Sequence, residues 1–172
     1  RFAQNELGKW LFTLDTTPFY AESGGQVADQ GTIQQGQHTW SVVDVRKEGD
    51  LIIHVCEGSE QPKPEPVIAR IDLDKRKATT RNHTGTHMLH AALKQIIGQH
   101  VNQAGSIVHP DYLRFDFTHS ERLSSDQVEE IERLVNRKIR ENIDLKVFET
   151  GYRQAVDSGV TALFGEKYGD TV

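Results

Sequence analysis

The sequence contains a single cysteine, Cys56, among its 172 residues. One cysteine excludes an internal disulfide and favours a reducing compartment, so we expect a cytoplasmic protein. No apolar run approaches the roughly 18 residues that a membrane-spanning helix requires, which argues against a membrane protein of that kind. An initiator methionine and the apolar stretch of a signal peptide are also lacking at the start, and we expect an internal fragment of a longer protein.

The sequence also lacks an excess of basic residues: acidic residues outnumber them, and the formal net charge is −5. Binding to nucleic acid phosphates needs clustered lysine and arginine. The negative net charge therefore disfavours a domain that binds nucleic acid without help from other domains. Two local basic clusters occur, at residues 75–81 and 133–140. Such clusters are more often solvated helix faces. If the protein handles RNA, most of the affinity must come from elsewhere.

Only a few prolines are present, and three of them alternate with other residues over residues 61–66. Proline donates no backbone hydrogen bond, so this stretch cannot be a helix or a central strand. We predict a rigid connector that follows a β-rich first part. The expected strands in that part cover residues 10–15, 39–45, 51–55 and 67–73, with a hairpin turn at residues 47–50 and a glycine-rich loop at residues 22–31.

Residues 74–97 contain no proline, and apolar residues recur there at helical spacing up to Gly98. Ser124 and Gln127 form a capping-box pattern that begins a second helix. We expect its buried stripe to consist of Val128, Ile131, Val135 and Ile139. Further expected elements are strands at residues 112–117, 145–148 and 160–164, and a short helix at residues 152–158 that ends at Gly159. The pattern predicts an α+β fold: a β-rich subdomain at residues 1–70, then residues 71–172 with an antiparallel sheet covered by two long helices.

The segment with the clearest chemical pattern is His83-Thr84-Gly85-Thr86-His87. Two histidines four residues apart on a helix lie about 6 Å apart at Cβ, close enough to hold one metal ion. The spacing is that of zinc metalloproteases, but the glutamate that serves as their general base is missing. Spacing alone leaves open whether the pair binds metal or is two polar residues on a half-exposed helix face. His90 lies on the same face. However, histidines on three consecutive turns diverge too much to bind one metal ion in a tetrahedral site.

The glycine-rich loop at residues 22–31 carries a weaker signal. It is neither a Walker A loop nor a dinucleotide-binding loop. Glycines most often serve tight turns, and they also let the backbone approach a ligand closely. A loop of this kind could therefore form the wall of a small pocket.

Several segments together resemble the editing region of alanyl-tRNA synthetases and their free-standing relatives. Residues 19–26 (FYAESGGQ) and 83–93 (HTGTHMLHAAL) carry most of the resemblance. The remaining segments are residues 98–106 (GQHVNQAGS), 113–117 (LRFDF) and 162–168 (ALFGEKY). They keep the order of the family from about residue 10 onward, and their combined specificity is high.

The resemblance implies a β-barrel-like subdomain followed by an α+β sandwich, which is also similar to the editing domain of threonyl-tRNA synthetases. It implies hydrolysis of serine or glycine wrongly esterified to tRNA(Ala), within a parent enzyme that attaches alanine using ATP. The partners would be the acceptor end of tRNA(Ala) and the other domains of that synthetase. By matching position, His83 and His87 are zinc ligands, Gln103 is the pocket glutamine in a turn, and Gly24 and Gly25 form the loop beside the pocket.

Serine could be recognised through its hydroxyl by Gln103 or Thr86, a contact that alanine cannot make. The family completes its zinc site with a Cys-x-x-x-His pair after the segment at residues 162–168, and the sequence ends at Val172 without one. Cys56 lies far upstream and cannot replace it, so we expect an incomplete zinc site in this fragment. Two alternatives stay open: a free-standing trans-editing deacylase, and a non-catalytic tRNA-binding module of the same fold.

Overall fold

The computed structural model describes residues 1–160 and 169–172. Strands dominate the first part of the chain and helices the second. The described strands are β1 (Phe2–Gln4), β2 (Trp10–Thr13), β3 (Gly31–Gln35), β4 (His38–Glu48), β5 (Leu51–Glu57), β6 (Ile68–Ile71), β7 (Gln103–Val108) and β8 (Leu113–Phe117). The described helices are α1 (Leu73–Ile96), α2 (Ser125–Glu141) and α3 (Tyr152–Asp157). The predicted α+β class is confirmed.

Among the described residues, β1 to β6 form one antiparallel sheet in the order β1-β2-β5-β4-β3-β6. Strands β1 and β6 are its edges, so the barrel-like subdomain implied by the resemblance takes the form of an open sheet. The predicted hairpin is present as β4 and β5, with Gly49 at the turn in the left-handed conformation (φ 60°). Buried side chains on the sheet form a core around Ile33, Trp40 and Val45.

The proline connector at residues 61–66 is neither helix nor strand, as predicted. The Gln35 amide holds it in place by donating to the carbonyls of Lys63 and Glu65, at 3.0 and 3.1 Å. The Gln35 oxygen accepts the Lys63 backbone N–H at 2.9 Å. One buried side chain thereby satisfies backbone groups that a proline-rich segment cannot pair in a ladder.

Helix α1 begins after Asp72, whose carboxylate accepts the backbone N–H groups of Asp74 and Lys75 at 3.1 and 3.0 Å. This is the arrangement of an N-cap, which satisfies N–H groups that have no partner within the helix. Strands β7 and β8 form a separate two-stranded sheet. The prediction that Gln103 lies in a turn is wrong, because it is the first residue of β7. The small and polar residues of β7 have low strand propensity, and pairing with β8 overrides it.

The capping box of α2 is confirmed. The Ser124 hydroxyl accepts the Gln127 N–H at 3.2 Å, and the Gln127 side chain accepts the Ser124 N–H at 2.9 Å. The predicted buried stripe is only partly correct. Ile131 is buried, but Val128 and Ile139 are 50% and 54% exposed. The buried face is narrower than the apolar periodicity suggests.

The strand predicted at residues 145–148 is wrong, because these residues form neither helix nor strand. An extended segment becomes a strand only when a neighbour accepts and donates its hydrogen bonds, and no described strand pairs with this one. Helix α3 agrees with the prediction and is followed by Gly159 in the left-handed conformation (φ 86°). The predicted strand at residues 160–164, apart from Val160, and the motif at residues 162–168 lie outside the described residues.

The chain divides into two compact units. The first consists of Arg1–His87 and Gly105–Phe115, and the second of Met88–Ala104 and Asp116–Val172. The first unit contains the six-stranded sheet, the glycine-rich loop and the part of α1 that carries the histidine pair. None of the described helices combines the length and the apolar character that crossing a membrane requires.

Candidate active site

His83 and His87 lie one turn apart on α1, within the first unit. Their ring centroids are 5.2 Å apart and the ring planes differ by 15°, so the two imidazoles are stacked. His83 is half-buried and His87 is exposed. The two rings are therefore close neighbours, and solvent reaches the pair from the side of His87.

The glycine-rich loop contacts this pair through Gln26. The Nδ1 atom of His83 lies 2.6 Å from the Oε1 atom of Gln26, although the two residues are 57 positions apart in the sequence. The Gln26 side chain is buried, with 8% of the residue exposed. We did not predict a role for Gln26 from the sequence. The only signal there was its place directly after two glycines in a segment that carries the family resemblance.

Backbone geometry explains the two glycines before Gln26. Gly24 and Gly25 both adopt the left-handed conformation, with φ of 57° and 80°. Ser23 and Gln26 exchange backbone hydrogen bonds across them at 2.9 and 3.3 Å, which closes a tight turn. A Cβ on Gly25 would lie 2.6 Å from the backbone oxygen of Ser106, whereas one on Gly24 would meet no described atom within 4 Å.

Strand β7 fixes the position of this turn. The Val108 N–H donates to the Gly25 carbonyl at 2.8 Å, and the Val27 N–H donates to the Val108 carbonyl at 3.1 Å. These two bonds flank Gln26, so its backbone is held on both sides. The loop is consequently a structured turn with a defined direction for the Gln26 side chain.

Electrostatics favour the neutral form of His83. Burial lowers the pKa of His83, and the neighbouring His87 lowers it further. A metal ion binds the neutral imidazole, so a depressed pKa keeps this side chain ready to act as a ligand at neutral pH.

The other predicted site residues lie in different surroundings. Thr86 is buried, and its hydroxyl donates to the Asn82 carbonyl at 2.9 Å. The Asn82 amide in turn donates to the His109 and Pro110 carbonyls at 2.7 and 3.2 Å. Gln103 is half-buried and belongs to the second unit. The structure thus brings the glycine turn and the histidine pair together in the first unit. Gln103 belongs to the second unit.

The remaining histidines have structural contacts. His54 is completely buried, with Nδ1 3.0 Å from the Phe12 carbonyl and Nε2 2.7 Å from the Thr17 hydroxyl. Burial lowers the pKa of His54. In the second unit, His100 Nε2 lies 2.9 Å from His119 Nδ1, and both residues are exposed. His90 is buried there, with Nε2 3.4 Å from the Val101 carbonyl.

We compared these residues with the donor set that zinc requires, usually four nitrogen, sulfur or oxygen ligands in a tetrahedron. His83 and His87 fit two of those positions. Among the residues that the structure describes, no group of three or more histidine, cysteine, aspartate or glutamate side chains is arranged to hold a metal ion. Cys56 is fully buried and burial raises the pKa of its thiol to about 12, so it does not supply a thiolate.

Comparison with known protein families gives a match to the first part of the chain. Residues 4–75 match the family of class II tRNA synthetases (A). This segment covers strands β2 to β6 of the six-stranded sheet, the glycine turn and the start of α1.

Individual relatives are more specific. The chain is 46% identical over 164 residues to the alanine–tRNA ligase of Bacteroides thetaiotaomicron, which covers 95% of this chain and 19% of that protein. It is 51% identical over 160 residues to the alanine–tRNA ligase of Thermotoga maritima, covering 91% of this chain and 18% of that protein. The chain is therefore a homologue of a segment of alanine–tRNA ligases, and it spans about a fifth of their length.

Proposed function

We propose that this chain is the editing segment of an alanine–tRNA ligase and hydrolyses the ester that links serine or glycine to tRNA(Ala). The observation that carries the proposal is the stacked His83–His87 pair, held beside the glycine turn with His83 bonded to Gln26. Homology to a segment of alanine–tRNA ligases supports it. The parent enzyme would attach alanine to tRNA(Ala) using ATP in the cytoplasm, and the tRNA acceptor end would be the partner of this segment.

The proposal assigns His83 and His87 as two ligands of a zinc ion. A Cys-x-x-x-His pair of the parent ligase, beyond Val172, would supply the other two. When bound, zinc supplies a Lewis acid that can polarise a carbonyl oxygen or lower the pKa of a water. The chain's own contribution is to keep His83 neutral through burial, since a protonated imidazole has no lone pair for a metal ion.

Two residues are candidates for recognition of the serine hydroxyl. The Thr86 hydroxyl already donates its hydrogen to the Asn82 carbonyl, so it can only accept from a substrate. A serine hydroxyl would donate to it, and an alanyl ester would leave that acceptor without a partner. Gln103 is the other candidate, because it matches the pocket glutamine of the family. Gly24 and Gly25 have no side chains, and they would let the backbone approach the aminoacyl group closely.

The test is a set of single substitutions in a full-length alanine–tRNA ligase that contains this segment. His83→Ala and His87→Ala should each lower the rate of Ser-tRNA(Ala) hydrolysis by at least about 100-fold, the usual range for loss of a group that assists proton transfer or water activation. They should leave attachment of alanine unchanged. His38→Ala is the matched control, because His38 is an exposed histidine at the start of β4. Unchanged hydrolysis in both histidine variants would refute the proposal.

The exposed basic residues Lys75, Lys77 and Arg81 on α1 favour a second candidate, a non-catalytic module that binds tRNA. Binding through phosphates weakens steeply with salt. A segment that bound tRNA in a salt-dependent way, but neither bound zinc nor contributed to hydrolysis, would be such a module. Its binding would then fall in Lys77→Ala and remain unchanged in His87→Ala.

A further inference from the structure

The contact between Gln26 and His83 determines which ring nitrogen of His83 carries the hydrogen. A neutral imidazole carries one N–H and one lone pair, and which nitrogen carries the hydrogen is set by the partner of the other. The partner of His83 Nδ1 is the amide oxygen of Gln26, at 2.6 Å. An amide oxygen only accepts hydrogen bonds, so Nδ1 must carry the hydrogen. The lone pair of His83 then resides on Nε2.

The surroundings of Gln26 hold its backbone in place and bury its side chain. Gln26 is buried, and its neighbours Gly25 and Val27 are both hydrogen-bonded to Val108. The tight turn at Gly24 and Gly25, closed by the backbone hydrogen bonds between Ser23 and Gln26, fixes the backbone from which the Gln26 side chain extends. A buried amide of this kind is costly to leave without a partner, so the bond to His83 is favoured over an exposed rotamer.

We propose that Gln26 is a positioning residue, which fixes His83 in the tautomer with hydrogen on Nδ1 and so directs the Nε2 lone pair to a metal ion held together with His87. The inference rests on the proposed function. It also assigns a role to the glycine turn, which places Gln26 next to His83 on α1. Hydrogen bonds from a ligating histidine to a second residue orient the ring and raise metal affinity in this way.

Two substitutions at one position test the inference. Gln26→Leu keeps a similar volume but cannot accept a hydrogen bond. Gln26→Glu retains an oxygen that accepts the Nδ1 hydrogen and serves as the conservative control. Nitrogen-15 NMR of histidine-labelled, metal-free chain at about pH 8.5, some two units above the usual imidazole pKa, reports which nitrogen of each neutral ring carries the hydrogen. The His83 signals are assigned by their loss in His83→Ala.

We expect His83 to carry its hydrogen on Nδ1 in the wild type and in Gln26→Glu. In Gln26→Leu we expect the mixture of tautomers typical of imidazole in water. Zinc affinity of the full-length ligase that carries each variant, measured by competition with a chromogenic chelator, should fall by about 10- to 100-fold in Gln26→Leu and should be largely kept in Gln26→Glu. A wild-type His83 with hydrogen on Nε2 would overturn the inference, as would a Gln26→Leu variant with unchanged tautomer or unchanged zinc affinity.

These readouts separate the inference from the proposed function. If Gln26→Leu changes neither tautomer nor zinc affinity while His83→Ala abolishes hydrolysis, the positioning role fails and the editing function stands. If Gln26→Leu changes both while the histidine variants leave hydrolysis intact, Gln26 positions a metal ligand and the editing function fails.

Discussion

The two adjacent glycines of the turn should respond very differently to the same substitution. Gly24→Ala and Gly25→Ala each place a Cβ on a residue in the left-handed conformation, with φ of 57° and 80°. That conformation costs an L-residue about 1–2 kcal/mol. Loss of chain entropy in the unfolded state returns about 0.4–1 kcal/mol in both variants, so it cancels when the two are compared.

Packing separates the variants. The Cβ of Gly24→Ala would meet no described atom within 4 Å, whereas that of Gly25→Ala would lie 2.6 Å from the Ser106 backbone oxygen. That oxygen belongs to β7, which is paired with β8, so it cannot move aside freely. Overpacking of this kind costs about 1–3 kcal/mol. We therefore expect Gly25→Ala to lower the free energy of unfolding by about 1–3 kcal/mol more than Gly24→Ala does.

Urea unfolding at neutral pH measures this difference, with unchanged slopes indicating that the same surface is exposed in each variant. Gly25→Ala should also disturb the contact between Gln26 and His83 and move the His83 tautomer toward the mixture found in water. Gly24→Ala should leave that tautomer as in the wild type. Equal stabilities within about 0.5 kcal/mol, the usual precision of such comparisons, would refute the steric reasoning.

Further substitutions test the scaffold of each unit. Asp29→Ala removes a buried carboxylate that accepts hydrogen bonds from Arg76 and from the Tyr20 backbone N–H, and it should cost about 1–3 kcal/mol in unfolding free energy. Asp44→Ala breaks an ion pair with an exposed arginine and should cost less than Asp29→Ala in the same assay. His54 has a lowered pKa in the folded state, so its stabilising contribution is complete above a pH of about 6.5 and is lost as the pH falls toward the folded pKa. Unfolding free energies of wild type and His54→Gln at several pH values should therefore converge on acidification, and parallel curves would contradict this. Ser124→Ala should destabilise α2 by about 1 kcal/mol in thermal unfolding, whereas Ser125→Ala, next to the cap, should have little effect.

The features predicted correctly from the sequence share local signals. The β4–β5 hairpin, the length of α1 and the capping box at Ser124 each depend on residues close together in the chain. The spacing of His83 and His87 likewise determines that the two rings are neighbours once the helix forms. Such features need no knowledge of tertiary structure.

The wrong or missing predictions depend on distant partners. Residues 145–148 alternate as a strand does but have no described neighbour to pair with, and β7 forms despite weak strand propensity because β8 lies beside it. Val128 has the periodicity of a core residue yet is half exposed, since burial depends on what packs against the helix. The bond between Gln26 and His83 joins residues 57 positions apart, and no local pattern predicts it.

Two contacts of the glycine-rich loop together fix the orientation of α1. At 3.6 residues per turn, positions 76, 83 and 87 lie within roughly 40° of one another around the helix axis, so they form one stripe. The loop contacts this stripe twice, through Asp29 at Arg76 and through Gln26 at His83. Two anchors about two turns apart prevent rotation of the helix about its axis. The direction of the histidine pair is therefore set by the loop as well as by the helix, and the stripe opens to solvent at His87.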